Sequence, residues 1–274
     1  MTQRFHYGPW LATAALALAG LLAWHFYPRV PVTPVPAALP VVAAPAAAPE
    51  PVLPAEPAFP LSQIPVLPDA VAEALPLLDQ SDDAVLGLVA GWLGGADPRQ
   101  FLQPQFLLAR LVATVDNLPR TSLTPQVYAA RPVAGDLVRS QADGRVWLDA
   151  GNYARYDVHV ALFEALDARQ VVSAYVRWYP LLQQAYRDLG VPDRQFNDRL
   201  VEVIDHLLAA PALAGPIELV PVPQRPRWAF ADPRREAASV GHRALWRIGP
   251  DHAARVQAKL REFRALLAGQ RPVA

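Results

Sequence analysis

Apolar residues in the C-terminal two-thirds of the chain recur every three or four positions, the period of a helix with one buried face. Leu107, Leu108, Leu111, Val112, Val115 and Leu118 form such a stripe, which ends before Pro119 because the residue preceding a proline disfavours the helical conformation. Upstream, Ser81 followed by Asp82 and Asp83 reads as an N-cap with acids in the first turn, and the helix over Ala84 to Trp92 stops at Gly94-Gly95. Tyr153, Tyr156, Val160, Phe163 and Leu166 predict a helix opening at Asn152. The next runs from Ala168 to Leu189, where Pro180 predicts a kink or break near Tyr179. Further helices are expected over Asn197 to Ala209, Pro233 to Ile248 and Pro250 to Ala268. A hairpin is expected from Leu137 to Ser140 and Arg145 to Leu148 around Asp143-Gly144, a favoured two-residue turn. Gly215 to Phe230 reads as extended and punctuated by proline. The expected fold class is therefore mainly α: a single helical domain over 77–268 with a small β-hairpin element and a tail at 269–274.

The first quarter of the chain has a different pattern. Gly8 to Tyr27 is twenty residues without a formal charge, and at about 1.5 Å per residue it spans the roughly 30 Å hydrocarbon layer. Tyr7 and Trp10 at one end and Trp24, Phe26 and Tyr27 at the other fit the two membrane interfaces. Residues 1–27 are thus expected to be a tail and transmembrane anchor. The competing expectation, a cleaved signal peptide with Ala17-Leu18-Ala19 at its cleavage site, fits less well because the apolar run continues into bulky aromatics. From Val30 to Pro98 there are 69 residues without Lys or Arg. That stretch offers nothing to resist translocation and places the N-terminus in the cytoplasm. Residues 28–76 carry 14 of the 30 prolines and no glycine, a composition that favours an extended polyproline chain and predicts a disordered linker.

Composition narrows the chemistry. Charges balance at 25 against 25, which removes the simplest case for nucleic-acid binding. Without cysteine there is no disulfide, thiolate metal site or cysteine nucleophile. No Gly-x-Ser-x-Gly elbow, phosphate-cradling glycine loop, dinucleotide fingerprint or His-Glu-x-x-His helix occurs, and no cofactor or resident metal is expected. Lys259 is the one lysine against 24 arginines; with abundant alanine, this suggests a GC-rich bacterial genome. The domain is then expected in the periplasm, displayed from the bacterial inner membrane.

Polar clusters supply the candidate site residues. Asp198, Glu202 and Asp205 recur at i, i+4 and i+7, so they line one helix face, with His206 beside them. Such a row suits a hard cation or acid–base work, or simply a solvated face. Asp116, Asn117 and Arg120 end one helix, and Asn152, Tyr153, Arg155 and Asp157 open another. Each group suits capping and ion pairing; were the two to meet, they would form a polar pocket for an anionic or sugar ligand. Tyr175, Trp178, Tyr179, Leu182 and Tyr186 form an aromatic stripe suited to core packing or to stacking on a glycan or peptide. The segment from Ala229 onward is basic.

Five segments form a recognisable set: ATVDNLPR (Ala113 to Arg120), NYARYD (Asn152 to Asp157), YPLLQQAYRDLG (Tyr179 to Gly190), FNDRLVEVIDHLLAAP (Phe196 to Pro211) and the tail from Phe230. Together, over roughly residues 75 to 268, they resemble domain-of-unknown-function family 3014. The resemblance implies a single-span envelope protein with a proline-rich spacer and carries no catalytic residue over. The functional expectation is a periplasmic binding or scaffold module with an envelope protein or cell-wall polymer as partner. The alternative is a cell-wall hydrolase using carboxylates among Asp116, Asp157, Asp198 and Asp205.

Overall fold

A computed structural model describes residues 56–67, 74–224 and 227–269. The expected anchor, the first part of the linker and the last residues of the tail lie outside these. Eight helices are described: α1 (Asp82–Trp92), α2 (Leu107–Asn117), α3 (Asp157–Ala165), α4 (Ala168–Asp188), α5 (Phe196–Leu208), α6 (Pro233–Glu236), α7 (Val240–Ile248) and α8 (Pro250–Leu267). Four strands, β1 (Arg139–Ala142), β2 (Arg145–Leu148), β3 (Glu218–Pro221) and β4 (Trp228–Phe230), form an antiparallel sheet in the order β1-β2-β3-β4. The protein is mainly helical with a small sheet, as the sequence pattern requires.

Two cores are joined by α7. The larger fills the space between α1 to α5, α7 and α8, with α8 packed on α3, α4, α5 and α7. The smaller lies against the sheet, where Leu137, Leu148, Ile217, Leu219 and Phe230 meet Trp246 of α7. Leu245 and Ile248 of α7 face the larger core, so this helix buries both of its sides.

Several elements depart from the sequence expectations for local reasons. Ser81 does not cap α1; its hydroxyl turns back to donate to the Leu78 carbonyl at 2.7 Å. Asp82 instead reaches across to α2, accepting from the amides of Phe106 and Leu107, both at 2.7 Å. In the hairpin, Asp143 and Gly144 both have positive φ, and this two-residue turn sets Ala142 opposite Arg145. Counting back from that pair moves the first strand two residues past its expected place. The segment from Ala150 to Tyr156 is a 3-10 helix, and α geometry starts only at Asp157. Pro180 does not break α4, which runs through it with the proline exposed. The helix expected over Pro233 to Ile248 is two, because Ser239 caps α7 by accepting from the His242 amide at 3.1 Å.

The packed region also begins upstream of residue 77. Phe59, Leu61 and Ile64 lie against the large core, Ile64 fully buried. The amides of Ala58 and Phe59 donate to Asp198, and that of Leu67 to Ser173 on α4 at 2.8 Å. The last part of the expected linker is therefore a strap on the domain, held by apolar residues spaced among its prolines.

Candidate functional site

The apolar faces of α1 to α5 and α8 converge without filling the space between them. They leave a cavity of about 190 Å³ whose walls include Trp92, Leu111, Tyr175, Trp178, Ile204 and Phe263. Leu88, Trp92, Leu111, Val171 and Leu200 are only partly buried and form its rim. An apolar cavity of about 150 Å³ admits a benzene-sized molecule, and this one opens to the surface past its rim.

Of the lining residues, Tyr175 donates its hydroxyl to Asn197 Oδ1 at 3.0 Å. Burial, then the neighbouring Tyr179 and Asp198, push the Tyr175 hydroxyl well above its usual pKa. The Asn197 amide in turn donates to the carbonyl of Phe59 at 2.7 Å. The cavity end is thus tied to the upstream strap through Tyr175 and Asn197. In the aromatic stripe, Trp178, Tyr179, Leu182 and Tyr186 are buried, and the Tyr179 hydroxyl bonds to Gln183 at 2.8 Å. Three stripe residues, Tyr175, Trp178 and Leu182, wall the cavity.

The polar candidates take separate partners. Asp116 is buried and accepts from Arg199 of α5 at 2.8 Å and from Arg120 at 2.9 Å, while Asn117 donates to the Ala113 carbonyl. Asn152 is fully buried and accepts from the Val138 amide and from Arg155. Arg155 also donates to the carbonyls of Val133, Ala134 and Gly135. Tyr153 lies against Gly249, and burial, then Asp149, raise its hydroxyl pKa. Asp157 pairs with His252 of α8 at 3.0 Å. Among the described residues no hydrogen bond or ion pair joins the cluster at 116–120 to that at 152–157; the first is tied to α5 and the second to the loop at 133–135, α7 and α8.

The acidic row on α5 is likewise dispersed. Asp198 caps the strap, Glu202 pairs with Arg194 and Arg199, and Asp205 is gripped by Arg264 of α8 at 2.6 and 3.0 Å. Among the described residues, no group of three or more His, Asp and Glu side chains is placed to hold a metal ion. Lys259 is buried and donates to the Leu166 carbonyl and to Glu262.

His206 is a hydrogen-bonded structural histidine, as its place beside the apolar Leu207 suggests, with partners that the sequence did not disclose. Its Nε2 lies 2.8 Å from the Ser239 hydroxyl, and its ring stacks on His242 with centroids 4.2 Å apart and planes 7° from parallel. A serine–histidine contact at a helix start resembles a nucleophile with its base. However, the Val240 and Gly241 amides, where an oxyanion would need donors, are given to the carbonyls of Arg120 and Leu118. Ser239 is itself buried, so the contact ties two helices. Two buried arginines tie α7 to its surroundings in the same way. Arg243 donates to the carbonyls of Glu236 and Thr121, and Arg247 to that of Trp228 while lying 4.6 Å from the Phe230 ring centre. Burial lowers the Arg247 pKa to about 10.

These features define a mainly helical domain with an apolar cavity open at its rim and structural ion pairs around it. The family model described as "Protein of unknown function (DUF3014)" matches residues 107–264, more than half of the chain, and the chain belongs to that family. The match runs from the start of α2 to the last turns of α8, covering the cavity walls except α1 and the end of α8. No curated protein matches the chain. No solved structure matches it.

Proposed function

We propose that the protein is a single-pass bacterial inner-membrane protein whose periplasmic domain is a binding or scaffold module that takes an apolar group into its cavity. The cavity carries this reading: a well-formed apolar pocket is a natural place for a ligand, and this one has a partly exposed rim. Its volume suits an apolar group somewhat larger than benzene, such as a short hydrocarbon segment or one bulky side chain of a partner. The uncharged run at Gly8 to Tyr27 and the cation-free stretch after it support the tether and its orientation. Among the described residues no helix is long and apolar enough to cross a membrane, so the tether rests on the N-terminal sequence.

The hydrolase alternative requires two carboxyls converging on one substrate. It loses support because Asp116, Asp157, Asp198 and Asp205 are each engaged by a different arginine, histidine or backbone amide. Titrating the protein with a small hydrophobic fluorophore tests the binding reading. Saturable binding that is lost in Leu200→Trp, which fills the rim, supports it. Binding unchanged in that variant, or no saturable binding, overturns it. A reporter fused after Ala274 tests the topology and should be active only in the periplasm.

A further inference from the structure

Asn197, in the first turn of α5, is buried where the strap, α4 and the end of α8 meet. Its Oδ1 accepts from the Tyr175 hydroxyl at 3.0 Å, and its Nδ2 donates to the carbonyls of Phe59 at 2.7 Å and Leu267 at 3.4 Å. Tyr175 and Leu267 both line the cavity. The next residue, Asp198, accepts from the Phe59 amide at 2.8 Å and from the Ala58 amide at 3.1 Å. Two adjacent residues of α5 thus hold Phe59 by both its N–H and its C=O, and one of them also holds two walls of the cavity.

The strap is the part of this arrangement that can open by itself. Of residues 56–67 only Ile64 is buried, and their one regular element is the 3-10 turn Leu61–Gln63. Besides the grip on Ala58 and Phe59, the strap is held by the bond from Leu67 to Ser173 and by the packing of Phe59, Leu61 and Ile64. Segments with few buried contacts open at the low end of the range of local free energies. With the strap lifted, Asn197 Nδ2 keeps only its longer bond to Leu267, and a buried donor left short of partners is costly. Turning the amide toward water relieves that cost but takes Oδ1 away from the Tyr175 hydroxyl. An apolar occupant then meets an unsatisfied hydroxyl at the wall, which disfavours it.

We propose that the strap and the cavity are coupled sites: docking of residues 56–67 and occupancy of the cavity by an apolar group strengthen each other. This coupling rests on the binding reading and adds regulation to it, because the strap follows directly on the expected linker and anchor. A filled cavity holds Tyr175 and Leu267, and through them keeps Asn197 in the arrangement that takes Phe59. Among the described residues none of the strap lines the cavity, so the coupling runs through Asn197 rather than through contact with the occupant. Linkage makes the effect equal in both directions.

Hydrogen exchange of the full chain in lipid nanodiscs, with naphthylamine as the probe, tests the coupling. Probe emission measures binding, with lipid uptake adding only a linear background. Without probe, the amides of Ala58, Phe59 and Leu67 should be less protected than those of α7, which contributes no lining residue. Saturating probe should raise the protection of the strap amides about tenfold, and the rise should vanish in Leu200→Trp. The double variant Phe59→Ala/Asp198→Ala, which loosens the strap and alters no lining residue, should weaken saturable binding by a similar factor. Three results overturn the coupling and leave the cavity reading standing: saturable binding with strap protection unchanged, affinity unchanged in the double variant, or a strap as protected as α7 before probe is added. Absence of saturable binding, or a rise that survives Leu200→Trp, overturns both. Should the double variant fail to fold, the wild-type exchange decides.

Discussion

Asp116 and Arg199, 83 positions apart, are joined twice: the carboxylate accepts from Nε at 2.8 Å and the Asp116 carbonyl accepts from Nη2 at 2.7 Å. Both side chains are largely buried, 8% and 18% exposed, whereas Arg120, the other partner of Asp116, is 61% exposed. Removing one member of a buried pair strands the other at a cost of about 3–5 kcal/mol, while an exposed pair is worth about 1 kcal/mol or less. Asp116→Ala should therefore lower the Tm by roughly 6–20 °C in a domain of this size, and Arg120→Ala by no more than about 4 °C. Equal losses in thermal melts would show that the pair does not tie α2 to α5.

Glycine positions separate three physical effects. Gly249 joins α7 to α8 at φ 94°, and a Cβ there would lie 2.6 Å from the Tyr153 ring. Gly249→Ala pairs a strained backbone with an aromatic clash and should destabilise by about 2 kcal/mol or more. Gly87, inside α1, has nothing within 4 Å of its missing Cβ. Gly87→Ala should therefore stabilise by about 0.5–1 kcal/mol through helix propensity alone. Urea midpoints that move the same way in both variants would contradict this placement.

The upstream strap divides the former linker in two. Replacing residues 31–55 by another proline–alanine sequence of equal length should leave domain stability unchanged, because these residues are expected to act through reach. Phe59→Ala and Ile64→Ala should instead cost about 2–4 kcal/mol by opening space beside the core. Melting temperatures indifferent to the two point changes would place the domain boundary back near residue 77.

Acid should destabilise the fold. Burial, opposed by a hydrogen bond the ring donates to the Arg155 backbone, lowers the pKa of His159, whose ring packs edge-on with Phe101. His206 is lowered as well. A group whose pKa is depressed by folding stabilises fully above its unfolded value, about 6.5, and that stability is lost as pH falls through it toward the folded value. Chemical denaturation midpoints should drop between about pH 7.5 and about pH 5, and His159→Gln should flatten the drop. A midpoint that holds or rises in acid would contradict the burial of both rings.

The sequence by itself determined the family and the place of most helices, though not all of their ends. Stripes such as Leu107 to Leu118 need only one buried side, and a period of 3.6 records that whatever the neighbour. The Asp143-Gly144 turn was equally local, since two consecutive positive φ values select those residue types. Strands β3 and β4 were legible only as extended chain, because Pro221 and Pro223 weaken the strand signal and the partners lie far away in sequence. The strap at Phe59 to Ile64 was hidden among prolines for the same reason: three apolar residues have no period to display. Most of all, the candidate site was illegible. Each cavity wall is an ordinary apolar stripe, and the gap between walls is a sum over six helices that no single segment encodes. The charged residues drew attention because their chemistry is explicit, yet the tertiary structure decided their roles by bringing Arg199 to Asp116, Arg264 to Asp205 and Ser239 to His206. A carboxylate or imidazole takes its role from the partner that reaches it, and all three of those partners are set by packing between helices distant in sequence.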